Sequence, residues 1–159
     1  MKTLGVIANC SKPRAASVLR ALAEHAGELG LVLRASGEKA MNRPGIQDEA
    51  LEDVFEASDA IVALGGDGTM LRAVRERKTF NTPLIGVNIG SLGFMTSVAE
   101  QDLRAALECL RDETFVVSER CVAECSVSQA GGPGRYFALN DVVVNSGQSR
   151  RVITLDVAV

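Results

Sequence analysis

Asp59-Ala60-Ile61-Val62-Ala63-Leu64-Gly65-Gly66-Asp67-Gly68-Thr69 runs from a buried-strand pattern straight into three glycines around one carboxylate, and a helical pattern follows over residues 70–78. A strand, a tight turn and a helix N-terminus are therefore expected in that order. Glycine lets a ligand approach bare backbone, and the first helical N–H groups point outward and attract anions. The stretch predicts a phosphate site.

Asp67 admits two readings. Aspartate is a favoured N-cap, but capping alone does not require glycines on both sides. A carboxylate beside a phosphate site repels the ligand unless it takes a proton from an attacking hydroxyl or holds a metal. Other phosphate loops do not fit. No Gly-Lys-Ser/Thr occurs, and Leu71 stands where the dinucleotide fingerprint closes on a small residue.

Outward from this stretch, Thr3 to Ala8 reads as a first strand. Pro13 suits the first helical position, and Val18, Leu19, Leu22, Ala23, Ala26 and Leu29 recur at helical spacing until Gly30. Residues 31–34 read as a strand, 36–45 as a loop and 47–56 as a short helix. Leu84-Ile85-Gly86-Val87-Asn88-Ile89 is a further strand that also ends in a glycine turn, Gly90-Ser91-Leu92-Gly93-Phe94-Met95. Phe94 there either stacks on a base or anchors its loop to the core. Ser97 and Glu100 have capping-box spacing before a helix carrying Leu103, Ala106, Leu107 and Leu110. This rhythm means a Rossmann-like parallel sheet covered on both faces, with two glycine loops on its carboxyl edge, where open α/β folds bind ligands.

After Asp112 the pattern alternates: residues 115–129 and 135–145 are extended about the turn Gly131-Gly132-Pro133-Gly134, and 152–159 alternate again. The expected organisation is an α/β domain over residues 1–112 and a β-rich, β-sandwich-like part over 113–159. Asn140-Asp141 interrupts what would otherwise be one buried strand from Tyr136 to Val144. An unpaired buried amide costs about 1–3 kcal/mol, and a carboxylate more, so the pair should face a polar cleft or form a tight turn. Both residue types suit ribose hydroxyls.

The 159 residues carry 47% apolar and 23% charged side chains and a net charge of −3, ordinary for a globular protein and unlike one built around a nucleic-acid groove. The N-terminal apolar stretch is too short for an export signal, and no run approaches a membrane helix. A cytoplasmic protein with no membrane partner is expected. Cys10, Cys109, Cys121 and Cys125 lack zinc spacing, and His25 is the only histidine. Cys121 and Cys125 are expected as small core residues and His25 in a structural role.

Gly65-Gly66-Asp67-Gly68-Thr69, Gly86-Val87-Asn88-Ile89-Gly90-Ser91-Leu92-Gly93-Phe94 and Leu139-Asn140-Asp141-Val142-Val143 occur in the order and spacing of the bacterial-type NAD kinases, which the chain resembles over almost its whole length. The glycine motif alone is shared with diacylglycerol kinases and phosphofructokinases. Leu71-Arg72 stands where the lipid kinases usually carry Asn-Glu. The resemblance implies ATP- and magnesium-dependent phosphorylation of NAD to NADP between an α/β and a β-rich domain, in a homodimer or homotetramer. It implies Asp67 as the base for the adenosine 2′-hydroxyl and Gly68, Arg72, Asn140, Asp141 and Arg151 as dinucleotide-binding; Phe94 joins them on its own reading as a ring that stacks on a base. Arg151 is equally readable as a solvated turn charge beside Arg150. Asp141 is a departure, since the family has glutamate there. The resemblance supplies no metal ligands, magnesium being held largely by phosphates and water. The sequence stops at Val159 before the family's C-terminal part, so the resemblance implies an incomplete chain with an open strand edge. The alternatives are a non-catalytic dinucleotide-binding or subunit-pairing chain, or a related lipid or sugar kinase.

Overall fold

The computed structural model describes residues 1–36, 44–77, 81–90, 93–128, 134–145, 154 and 156–157. They divide into two compact units, Met1–Glu119 and Arg120–Val159. In the first, six strands pair in parallel: β1 (Thr3–Ala8), β2 (Val32–Ala35), β3 (Ile46–Asp48), β4 (Ala60–Gly65), β5 (Leu84–Asn88) and β6 (Val98–Ala99). Their order across the sheet is β3-β2-β1-β4-β5-β6. The chain therefore reverses its direction of travel between β1 and β4. In a doubly wound sheet that reversal opens a crevice beyond the carboxyl ends of the two strands.

The strand pattern assigns the faces. Leu4, Val6 and Ala8 of β1 and Val62 and Leu64 of β4 join one core cluster with Val18, Leu19 and Leu22 of α1 (Ala15–Glu28) and Leu103, Leu107 and Leu110 of α4 (Leu103–Asp112). Ile7 and Ile61 point the other way, to Val54 and Phe55 of α2 (Leu51–Glu56) and Ala73 of α3 (Asp67–Glu76). Leu4, Leu22, Leu33 and Leu64 are wholly buried, each contributing about 1.5–3 kcal/mol. α1 stops where Gly30 turns to φ +70° and the Leu31 N–H bonds back to the Ala26 carbonyl at 2.8 Å.

Several local expectations are corrected. Residues 47–56 are not one helix: Ile46–Asp48 pairs with β2, and only Leu51–Glu56 is helical. β-pairing along the sheet edge overrides the local helical spacing. Pro13 lies in a turn two residues before α1 begins. Ser97 and Glu100 form no capping box, because Glu100 instead accepts from Arg14 Nη2 at 2.8 Å. α3 begins at Asp67, with Gly66 in the cap position.

In the second unit β7 (Ala123–Val127) and β8 (Gly134–Ala138) form an antiparallel ribbon, with Cys125 opposite Tyr136. Residues 115–122 and 139–145 are not strands, and Val142, Val143 and Val144 are exposed, so no single buried strand spans Asn140-Asp141. Cys121 is exposed and Cys125 only half-buried, against the expectation of two core residues. Two strands bury little between them, because a ribbon needs a third strand or a helix to cover a face. Arg151, Ser91, Leu92 and most of 152–159 lie outside the described residues.

Asp59 ties the start of β1 to β4. Its Oδ2 accepts from the N–H groups of Lys2 at 2.7 Å and Thr3 at 2.9 Å. The Thr3 amide first, then that of Lys2, holds its carboxyl below the usual range. A depressed native pKa stabilises the fold above the unfolded value, and that stabilisation is lost as pH falls through the native value. Asp59→Ala should cost on the order of 1 kcal/mol near neutral pH, the carboxylate being solvent-screened. Urea unfolding should show the variant and the parent converging as pH falls below the ordinary aspartate value and through the lowered native one.

Candidate active site

β1, β4 and β5 end side by side, and their connections build a cleft of about 470 Å³ lined by Asn9, Lys12, Gly66, Asp67, Gly68, Thr69, Arg72 and Gly93. Backbone bonds hold the three ends together: the Asn9 N–H donates to the Leu64 carbonyl at 3.0 Å, and the Ile89 N–H to the Gly65 carbonyl at 2.7 Å. The cleft lies at the β1/β4 reversal, where the fold itself places a ligand.

The glycines here have steric causes. A Cβ on Gly65 would overlap the buried Thr69 hydroxyl and come 2.7 Å from its Cβ. A Cβ on Gly93 would overlap Asp67 Oδ1 and stand 2.8 Å from its Cγ. Gly68 has nothing within 4 Å of the corresponding position, so its backbone is open. Gly90 is held at φ +121°, which only glycine adopts readily.

Asp67 heads α3, where the helix dipole favours its negative charge. Phe94 N–H donates to its Oδ2 and Met95 N–H to its Oδ1, both at 2.9 Å. These amides, Phe94 first, hold the carboxyl below its usual range, with a smaller push from the Thr96 amide, while partial burial opposes them. The group is therefore a fixed carboxylate. Each oxygen accepts one of these two amide bonds and has a second lone pair. Asp67 is not a simple helix cap: its side chain reaches across to the turn after β5.

Arg72, one turn along α3, lines the same cleft with its Nε 3.4 Å from Glu76 Oε1. Two cations, Lys12 and Arg72, thus share the cleft with one carboxylate. Anionic ligands suit that balance, with the N-terminal amides of α3 adding donors. The Phe94 ring is fully exposed, so it does not anchor its loop to the core; the Asp67 carboxylate does that work through the backbone.

Asp67, Gly68 and Arg72 are therefore together, with Phe94 attached to Asp67 by its amide. Asn140 and Asp141 belong to the second unit, where both are exposed and Asn140 Nδ2 donates to Asp141 Oδ2 at 2.7 Å. Lys12 and Asn9 have no role assigned from the sequence. A basic residue just beyond the end of a first parallel strand is the signal that points to them.

Residues 4–115 match the family model described as ATP-NAD kinase N-terminal domain. The chain is 37% identical over 164 residues to the NAD kinase of Heliobacterium modesticaldum and 34% identical over 161 residues to that of Syntrophotalea carbinolica, in each case over 100% of this chain and 56% of the relative. It thus spans about half the length of the curated relatives it matches. The structure of yeast NADH kinase complexed with NADH superposes with a TM-score of 0.78 over 88% of this chain and 47% of that one, at 17% identity. An Archaeoglobus fulgidus NAD kinase in complex with ATP gives a TM-score of 0.51 at 21% identity, covering 79% of this chain and 41% of that one. At these identities the structural likeness is one of fold.

Proposed function

The chain belongs to the ATP-NAD kinase family, and on that premise we propose that it carries the catalytic loop for transfer of the ATP γ-phosphate to the adenosine 2′-hydroxyl of NAD, giving NADP. The observation that carries this reading is Asp67, a fixed carboxylate at the head of α3, opening onto a cleft that also holds Lys12 and Arg72. In the proposed step the 2′-hydroxyl proton passes to an Asp67 oxygen as the 2′-oxygen bonds to the γ-phosphorus. The bond from that phosphorus to the β–γ bridging oxygen breaks, and ADP leaves. Proton transfer lags bond formation in a loose phosphoryl transition state, so a weakly basic carboxylate serves.

Gly68 offers bare backbone to the dinucleotide, and Arg72 a cation. Phe94 offers an exposed ring for stacking on a base. Asn140, Asp141 and Arg151 complete the proposed NAD contacts, Asp141 with a shorter reach than glutamate. The donor set around Asp67 suits a magnesium ion carried mainly by phosphate oxygens and water. When bound it would neutralise charge on the phosphates. A cytoplasmic homodimer or homotetramer belongs to the same reading.

The acceptor assay is direct: the chain with MgATP and, in turn, NAD, a diacylglycerol or a sugar phosphate. NADP is the expected product. Phosphorylation of another acceptor while NAD is ignored removes the NAD assignment. The second reading is dinucleotide binding without turnover. It predicts NAD binding by calorimetry with no NADP formed.

A further inference from the structure

Lys12 is the cation in the cleft that the proposed step leaves unused. It stands in the turn between β1 and α1, fixed by its own N–H to the Asn9 carbonyl at 3.2 Å and by the Ala15 N–H to its carbonyl at 3.0 Å. Its Nζ donates to the Ile89 carbonyl oxygen at 2.7 Å. The same nitrogen is 3.6 Å from where a Cβ would sit on Gly66 and 3.7 Å from that point on Gly90. One ammonium thus lies between the glycine turns that follow β4 and β5, on the wall shared with Asp67, Gly68 and Arg72. No ion pair among the described residues includes it.

An ammonium has three donors, and the Ile89 carbonyl uses one. The tether fixes the charge without neutralising it. We propose that Lys12 grips the phosphate chain of the donor, keeping one N–H on Ile89 and giving the other two to oxygens of the terminal phosphates. This rests on the phosphoryl-transfer reading above. As the γ-phosphorus leaves the bridging oxygen, charge builds on the departing phosphate, and a pre-placed ammonium in a cleft stabilises it without reorganising. The chemistry recognised is a linear phosphoanhydride, which nucleoside triphosphates and inorganic polyphosphate share.

The test titrates the parent chain, Lys12→Gln and Lys12→Arg with magnesium tripolyphosphate and with MgATP by calorimetry, beside NADP formation and thermal unfolding. Gln keeps an N–H that can reach towards Ile89 but carries no charge. Lys12→Gln is expected to bind both probes at least about tenfold more weakly and to lower kcat by about 10²-fold, with KM for NAD unchanged. Lys12→Arg should recover part of both losses. Binding of tripolyphosphate as well as MgATP by the parent identifies the phosphate chain alone as the ligand, and binding of MgATP only identifies the nucleotide.

Parent-like affinity of Lys12→Gln for the probes overturns the proposal. So does an equal loss in Lys12→Arg with a lowered unfolding temperature, which would make Lys12 a staple for the turn after β5. Acylation of lysines in the parent chain, mapped by mass spectrometry, decides the matter even if the Gln variant does not fold. Tripolyphosphate should protect Lys12 and leave exposed Lys2 reactive, and no protection overturns the assignment. A parent chain that binds tripolyphosphate through Lys12 but forms no NADP removes the NAD reading alone. Normal NADP formation by Lys12→Gln removes the Lys12 proposal alone.

Discussion

Asp67→Asn is expected to lower NADP formation by about 10²–10⁴-fold, because an amide cannot take the hydroxyl proton. The substitution also disturbs the turn after β5, since both Asp67 oxygens accept backbone N–H bonds, at 2.9 Å each, and an asparagine presents only one oxygen. Two readouts separate these effects. Thermal unfolding reports the lost bond. The pH profile of the parent reports the base: the Phe94 and then the Met95 amide hold the carboxyl low, so its acidic limb should lie below the usual carboxylate range and stay out of sight above about pH 5. Asp67→Asn turning over like the parent, or an acidic limb near neutral pH, would assign the proton to another group.

Gly86→Ala should damage stability and activity together. Gly86 is buried in β5, and a Cβ there would stand 2.9 Å from the Thr96 Cα, 3.0 Å from Met70 Sδ and 3.1 Å from Thr96 Cγ2. The methionine can yield, but a backbone carbon cannot. Overpacking of this kind costs about 1–3 kcal/mol, read as a lower urea midpoint with an unchanged slope. The displaced segment is the one that donates to Asp67 through Phe94 and Met95, and the Ser97 N–H bond to the Gly86 carbonyl, at 3.1 Å, lies in its path. NADP formation should fall accordingly. Gly68→Ala is the contrast. With no heavy atom within 4 Å it should fold as well as the parent, or up to about 1 kcal/mol better as a helical residue, and lose activity only through the ligand's approach. Full stability and full activity in Gly86→Ala would mean that the segment over β5 moves without consequence for the site.

Strands β1, β2, β4 and β5, helices α1, α3 and α4, the Leu51–Glu56 part of α2 and the glycine turn after β4 were legible because each has a local signature. Apolar runs ending in glycine announce strands at a carboxyl edge, and the Val18, Leu19, Leu22 and Ala26 spacing announces α1. β3 was not legible: three residues paired at a sheet edge leave no periodicity. The capping box at Ser97 failed because Glu100 finds Arg14, which is 86 residues away in sequence. The apolar alternation after residue 120 announced β7 and β8 but not burial, and its extension over residues 139–145 is not a strand, since burial and further pairing need a second layer that alternation does not supply.

The site divides in the same way. Sequence by itself determined the carboxylate among glycines at a strand-to-helix turn, because that chemistry is local. Tertiary structure decided what the carboxylate holds. Parallel pairing of β4 with β5 brings Gly93, Phe94 and Met95 against Asp67, and pairing of β1 with β4 brings Lys12 between the turns at Gly66 and Gly90. Strand order depends on which buried faces and backbone ladders fit together across the whole sheet, so no window of the sequence contains it.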